Sequence, residues 1–348
     1  MKVTQVVKRF GICGGMEEYA YRLSHELNKI GIDVSVVCER IVNDPFNTNF
    51  PVHELGENRK KPRWWSHLKF AKRVREWVRD QGTPNTLIHS HERLDFHYIT
   101  TIHSTLFNFP RKLALPSLRS FMNQRIEQKE VLSQTVKAIV PVSEIISQQL
   151  RGKYPNCAKN LNAPICPGVS NINAIKKTFN PKMPVIGFIG KEWKRKGLSK
   201  VIEIWRLLRK EVPEIRLCLA GFPKNEKLEF KAHEKENVDI LGYIENKESF
   251  FEQIDLLLHP AKQEAYGMVI AEALSVGIPI ICSSECGASF HVPHDNCLSL
   301  PFDRPTELWA KYVIEILGKS RSNHFPRFSR PWQNVAEDYI KVYQSVSL

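Results

Sequence analysis

Two glutamates eight residues apart, Glu264 and Glu272 in the stretch EAYGMVIAE, have the type and spacing to hold a polyhydroxylated ligand. Glu272 falls in a mostly apolar helical face with Met268, Ala271 and Leu274, and a carboxylate placed there needs hydrogen-bonding partners. The hydroxyls of a ribose would serve. Gly267 and Met268 open the helix, where free backbone N–H groups can meet a phosphate. If both glutamates were helical, they would lie within roughly 80° of each other around the axis. The plain alternative is an ordinary acidic helix start with Gly267 marking the turn.

A second stretch, GKEWKRKGL (190–198), places Lys191, Lys194, Arg195 and Lys196 around a strand-to-helix turn. A helix N-terminus favours negative charge, so four cations there imply an anion from outside, for which a diphosphate is suited. The alternative is a solvated basic turn. Near the start, GICGGMEE puts Gly11, Gly14 and Gly15 between a strand and a helix, where backbone can approach a phosphate. The stretch matches neither G-x-G-x-x-G nor a P-loop, and a tight turn explains it as well. His89, His91, His97 and His103, with Asp95, follow a strand and are expected to line a cleft as polar groups. No metal-ligand spacing appears among them, no D-x-D pair could hold Mg²⁺, and no G-x-S-x-G elbow is present. The sequence therefore predicts no bound metal and no hydrolase triad.

The elements that would position these groups alternate. VTQVV, DVSVVC, TLIHSH and AIVPV read as buried strands, and MEEYAYRLSHELNKI reads as a helix with Met16, Ala20, Leu23, Leu27 and Ile30 on one face. A second series begins at PVIGFIG (184–190) and continues through a helix near 198–210, IRLCLAG, VDILGY, DLLLHP, the GMVIAEALSVG helix and PIIC. Apolar strands followed by amphipathic helices indicate parallel sheets covered on both faces. At 348 residues the chain exceeds one compact core. The pattern predicts two doubly wound, Rossmann-like α/β domains, 1–170 and 182–330, facing a central cleft, with a linker over 168–183. The last helix, 331–346, either completes the second domain or crosses back onto the first.

Composition excludes other classes. Eight cysteines without C-x-x-C spacing indicate reduced thiols and no zinc site. The N-terminal residues lack an apolar signal core, and no run approaches the roughly 18 apolar residues of a spanning helix. The expectation is a cytoplasmic protein. The net charge of +13 suits nucleic acid, an anionic membrane or a phosphorylated substrate. Residues 59–79 concentrate it, with nine Lys/Arg and the single acidic residue Glu76. Trp64, Trp65, Lys69, Lys72 and Arg73 in this stretch are the candidates for membrane or acceptor contact, because basic helices bearing tryptophan can lie in a membrane interface. A solvated helix whose tryptophans pack on their own domain is the alternative. No nucleic-acid recognition motif is present.

Taken in order, these stretches resemble the retaining GT-B glycosyltransferases of family 4 over nearly the whole chain. Glu264, Gly267, Glu272 and Ala273 fit the E-x-x-G-x-x-x-x-E-A signature. IGKEWKRKGL resembles the family's phosphate-binding turn, and GGMEEYAYRLSHELNKIGIDVSVVC its opening. PVSEIISQQL and PICPGVS resemble the segment that leads to the usual PNGVD. Within the family, RLDFHYITTIHS and SLRSFMNQRIEQKEVL are most similar to the lipopolysaccharide core glucosyltransferase I type. The resemblance implies a nucleotide-sugar donor, a UDP-hexose, as co-substrate without a further cofactor, and a lipid-linked saccharide acceptor reached from the inner face of the membrane. It implies that Glu272 binds ribose, that Glu264 binds the transferred sugar, and that Arg195 and Lys196 hold the diphosphate. Lys191 and amides at Gly14, Gly15, Gly267 and Met268 would assist, and His103, in a T-x-H step, would contact sugar and phosphate. Three features depart from the pattern: Lys191 stands where most members have arginine, CPGV replaces PNGV, and Thr100 and Thr101 stand where the lipopolysaccharide group often has an Asp. A protein or soluble-sugar acceptor, a non-catalytic sugar-nucleotide binder and a nucleic-acid binder are the rival readings. The oligomeric state is not legible.

Overall fold

The computed structural model describes residues 1–58, 62–81, 86–107, 117–169, 180, 182–226, 228, 230–244, 246–292, 296–319 and 326–346. The chain divides into two compact units: Met1–Gly168 with Arg330–Leu348, and Val169–Ser329. Most of the expected 168–183 linker lies outside the described residues, as do 59–61 of the basic stretch.

The first unit runs β1 (Lys2–Val6), β2 (Arg9–Phe10), α1 (Gly15–Lys29), β3 (Asp33–Cys38), β4 (Arg40–Ile41), β5 (Val52–Glu54), α2 (Arg63–Gln81), β6 (Thr86–Ser90), β7 (Ile99–Ile102), α3 (Leu118–Val131), β8 (Ala138–Pro141) and α4 (Glu144–Lys153). Its sheet has the order β5-β3-β1-β6-β7-β8, with every pair parallel. Val3, Val6, Val34, Val36 and Val37 are buried, as apolar strands covered on both faces must be. In α1, Tyr19, Ala20, Leu23 and Leu27 recur at helical spacing and are buried, while Glu17 and Glu18 in the first turn suit the helix dipole.

The second unit runs β9 (Val185–Ile189), α5 (Leu198–Leu208), β10 (Arg216–Ala220), β11 (Val238–Gly242), α6 (Lys247–Phe251), β12 (Leu256–His259), α7 (Met268–Ser275), β13 (Ile280–Ser283), β14 (Cys297–Leu300) and α8 (Thr306–Lys319). Its sheet, β11-β10-β9-β12-β13-β14, is again parallel throughout. Leu198, Val201, Ile202, Trp205 and Leu208 of α5 form a continuous stripe packed with Phe188, Leu217 and Leu256. The Trp205 indole Nε1 is satisfied by the Ile215 carbonyl at 3.0 Å. In each unit strand order reverses beside the first strand, β1 or β9, so loops at the strands' carboxyl ends are the natural ligand positions.

The final helix, α9 (Trp332–Val346), packs on α1 in the first unit, and Arg330 at its approach donates to the Cys166 carbonyl and pairs with Asp338. The unit therefore ends later in sequence than the expected boundary at 170, and the second unit ends at Ser329.

Burial overturns the expectation of a cleft-lining role for three of the four histidines in and after β6, with His103 the exception. His89, His91 and His97 are buried, and His89 lies between Tyr343 and Thr101, at 2.8 Å from each. Tyr343 of α9 supplies His89 with a polar partner that solvent would otherwise provide, whereas His91 is held by Gln5 and His103.

Candidate active site

In the second unit, backbone geometry brings two loops together. Gly197 has φ +84°, and a Cβ there would lie 1.9 Å from the Pro260 carbonyl oxygen, so only glycine fits. A backbone bond from Lys262 N to Arg195 O, 2.9 Å, ties the basic turn after β9 to the loop after β12. Arg195 Nη1 reaches Glu264 Oε2 at 3.1 Å and also bonds the Gln263 carbonyl, while Lys196 Nζ lies 3.5 Å from the same Glu264 oxygen. Arg195 Nε and Nη2 both donate to Glu192 Oε2, at 2.9 and 2.6 Å. Arg195 and Lys196 are thus met by Glu192 and Glu264 of the chain itself in the absence of a ligand. Lys191 is exposed, and Lys194 lies over the Trp193 ring.

Glu264 is fixed by its own backbone. Its N–H donates to Glu285 O at 3.0 Å, and its carbonyl accepts from Gly287 N at 3.1 Å. It sits in the loop ahead of α7, so the helical-angle relation to Glu272 does not apply. Gly267, in the left-handed region at φ +94°, opens α7 without a side-chain cap, leaving the first amides from Met268 onward to other partners. Glu272 lies one turn further on and is buried. Its Oε1 accepts from Lys247 Nζ of α6 at 2.5 Å, whereas Oε2 is buried and has no partner. A buried carboxylate oxygen without a donor is costly unless a ligand supplies one.

Sequence reasoning missed three groups here: Lys247, Glu192 and His259. His259 ends β12, is fully buried with neither ring nitrogen hydrogen-bonded, and has Nε2 4.0 Å from Glu264. Burial first, then Lys196 and Arg195, hold its pKa well below the ordinary histidine range, so it is neutral. Its place at the carboxyl end of the apolar run DLLLHP was the available signal.

In the first unit His103 follows β7, half-buried, and its Nε2 lies 2.9 Å from His91 Nδ1. Burial lowers its pKa to about 3. Gly14 precedes α1 in extended conformation and Gly15 begins the helix, whose first turn already carries the Glu17–Arg9 pair. In α2, Trp65 is 42% exposed with Lys69 over its ring, and the Lys72 head is in solvent. Arg73, by contrast, donates to the Gly56 carbonyl at 2.8 Å, Trp64 is half-buried, and Trp77 packs into the core beside Phe70 and Val74. Among the described residues no group of three or more His, Cys, Asp and Glu side chains is arranged to hold a metal, and no helix is long and apolar enough to cross a membrane.

Each unit is thus a parallel, doubly wound α/β layer, and the second sets Glu264 against a basic turn and Glu272 against Lys247. Residues 13–170 match the model of Glycosyltransferase Family 4 and residues 170–324 that of Glycosyl transferases group 1, and the chain belongs to these GT-B glycosyltransferases. It is 31% identical over 183 residues to the lipopolysaccharide glucosyltransferase WaaG of Escherichia coli, a stretch that covers 51% of this chain and 46% of that protein. The match to this relative thus spans about half of its length. Over 97% of this chain and 95% of the other, the fold superposes on the crystal structure of WaaG, a glycosyltransferase involved in lipopolysaccharide biosynthesis, with a TM-score of 0.76 and 15% identity. Anabaena Alr3699/HepE, solved with UDP and glucose, superposes with a TM-score of 0.62 and 16% identity over 99% of this chain and 100% of that one.

Proposed function

We propose that the chain is a retaining, metal-independent hexosyltransferase that moves a hexose from a UDP-sugar to a lipid-linked saccharide such as a lipopolysaccharide core. The observation that carries the donor half is Glu272: a buried carboxylate with Lys247 on one oxygen and no partner on the other. A ribose hydroxyl donating to Oε2 would complete it. Arg195 and Lys196, held side by side by Glu264, would turn to a diphosphate and stabilise the charge that grows on the leaving group. Glu264, released from part of that pairing, would accept from hydroxyls of the transferred sugar. Exposed Lys191 and the amides at Gly267 and Met268 would assist. In the first unit His103 and the Gly14–Gly15 amides take donor contacts by resemblance alone.

The acceptor half rests on the relationship to a lipopolysaccharide glucosyltransferase and on the α2 face where Trp65 and Lys72 are exposed and half-buried Lys69 lies over the Trp65 ring. That face suits peripheral attachment to the anionic cytoplasmic leaflet. Retention would follow if a departing phosphate oxygen takes the acceptor proton on the face it leaves. The test is a thermal-shift panel of UDP, GDP, ADP and their common sugar conjugates on wild type and Glu272→Ala, followed by transfer assays with the stabilising donor. Stabilisation by a uridine nucleotide alone, lost in the variant, supports the donor assignment. Stabilisation by none of them removes it.

A further inference from the structure

His259 is fully buried, and neither of its ring nitrogens is hydrogen-bonded to a described residue. Its backbone is fixed. It ends β12 opposite Cys282 of β13, and its carbonyl accepts from Ala261 N at 2.9 Å. The imidazole stacks along the Phe188 ring, with centroids 6.3 Å apart and planes 18° from parallel. Its Nε2 lies 4.0 Å from Glu264 Oε2, about 1 Å beyond hydrogen-bond length. A neutral imidazole carries one N–H donor and one acceptor nitrogen, and burying them unpartnered is unfavourable. An apolar ring would fill the same space without that cost.

The state of Glu264 explains why the ring stands back. Its Oε2 is held by Arg195 Nη1 at 3.1 Å and faces Lys196 Nζ at 3.5 Å. Two full positive charges outcompete a neutral N–H for one carboxylate oxygen. Burial, and after it Lys196 and Arg195, keep His259 neutral, so it brings no charge of its own to that competition. A diphosphate would reverse the order. Drawing Arg195 and Lys196 onto its own oxygens, it would leave Glu264 Oε2 without its cations. The Glu264 backbone is anchored at Glu285 O and Gly287 N, so only its side chain has to turn to meet the imidazole.

We infer that His259 is a positioning residue for Glu264: once a diphosphate engages Arg195 and Lys196, the imidazole donates Nε2–H to Glu264 Oε2 and holds the carboxylate for the hydroxyls of the transferred sugar. The exchange of partners makes the sugar contact depend on an occupied diphosphate site. A free hexose would find Glu264 still tied to both cations. The polar ring thus lowers the stability of the empty protein and strengthens the complex. The inference rests on the proposed UDP-sugar donor.

The full chain labelled with ¹⁵N-histidine, with His259→Gln for assignment, is titrated with UDP. The His259 Nε2–H proton is expected to move downfield as its bond to Glu264 forms. His259→Phe, which fills the space without a donor, is expected to keep a ligand-free urea midpoint at or above that of wild type and to bind UDP about tenfold more weakly. Uridine, which has no phosphate to draw the cations away, is expected to bind wild type and variant alike. His259→Gln, whose amide can reach the Nε2 position, is expected to recover most of the UDP affinity. His259→Leu serves if the phenylalanine variant does not fold. A proton resonance unmoved in UDP-saturated wild type, or UDP affinity within twofold of wild type in the apolar variant, overturns the inference. So does an apolar variant that loses ligand-free stability and binds UDP and uridine equally poorly, since that describes a purely structural ring. Wild type that binds no UDP at all removes the donor reading before any variant is made, and this inference with it.

Discussion

Replacing Glu272 by glutamine separates what this side chain does for the ligand from what it does for the fold. A carboxylate has an oxygen for Lys247 and another for a ribose hydroxyl. A glutamine has one acceptor oxygen for those two donors and must turn its amide nitrogen to one of them. Hydrogen bonds to charged groups contribute about 1.5–3 kcal/mol. Glu272→Gln should therefore weaken UDP binding by roughly 10- to 150-fold at 1.4 kcal/mol per factor of ten. The ligand-free protein should change by no more than about 1 kcal/mol, because losing the charge-assisted bond is offset by removing a half-partnered buried charge. Titration calorimetry with UDP gives the first quantity and urea denaturation without ligand gives the second. Affinity within threefold of wild type would show that the orphaned oxygen is not the ribose site. A large loss of ligand-free stability would make Glu272 a structural ion-pair partner instead.

Gly197→Ala should destabilise the second unit by at least about 2 kcal/mol, since it combines left-handed backbone strain with a collision against Pro260, whereas Gly31→Ala, at φ +84° with open space around it, should cost only about 1–2 kcal/mol. Thermal denaturation ranks the pair, and equal losses would contradict the role given to the close approach. Burial lifts the Glu92 and Glu130 carboxyls to about 7, above their ordinary 4.5, so the folded state holds those protons more tightly and loses stability as pH rises between these values. Burial lowers His67 to about 3 and His97 to about 4, so stability is also lost as pH falls below 6.5. Glu92→Gln should accordingly gain on wild type at pH 8 relative to pH 4.5 in urea midpoints; a constant difference would mean that Glu92 stays ionised across this range. Lys69→Glu with Lys72→Glu should reduce sedimentation with anionic vesicles by about 2 kcal/mol or more, roughly 30-fold, without changing UDP affinity. Unchanged vesicle binding would return α2 to the role of a solvated helix.

Most strands of both sheets were legible because they are apolar runs followed by helices with one apolar face, whereas β5 (VHE), β7 (ITTI) and β14 (CLSL), short or partly polar, were not. The allegiance of α9 was not, since periodicity in Val335, Tyr339, Val342 and Tyr343 reveals a face and not its partner. The histidines failed for the same reason. His89 is buried by residues 250 positions later in sequence, and nothing local to IHSH distinguishes a lining imidazole from one enclosed by Tyr343. The Glu264–Glu272 pair was visible through its spacing around Gly267. Its partners were less so: Lys247 stands 25 residues before Glu272, and His259 was hidden in an apolar strand. Glu192 was within the basic stretch itself, at the three-residue spacing of a local ion pair with Arg195.

Because α9 belongs to the first unit while its residues follow the second, the ribosome delivers this molecule out of order. Residues 1–168 emerge early without the helix that encloses His89 and satisfies Gln5, and the entire second unit is made before that helix appears. The second unit is contiguous and free to close while translation continues. The first must hold Gln5, Tyr19, His89 and Thr101 uncovered until the last residues of α9 leave the exit tunnel, which makes that interval its period of greatest exposure to chaperones and to proteolysis.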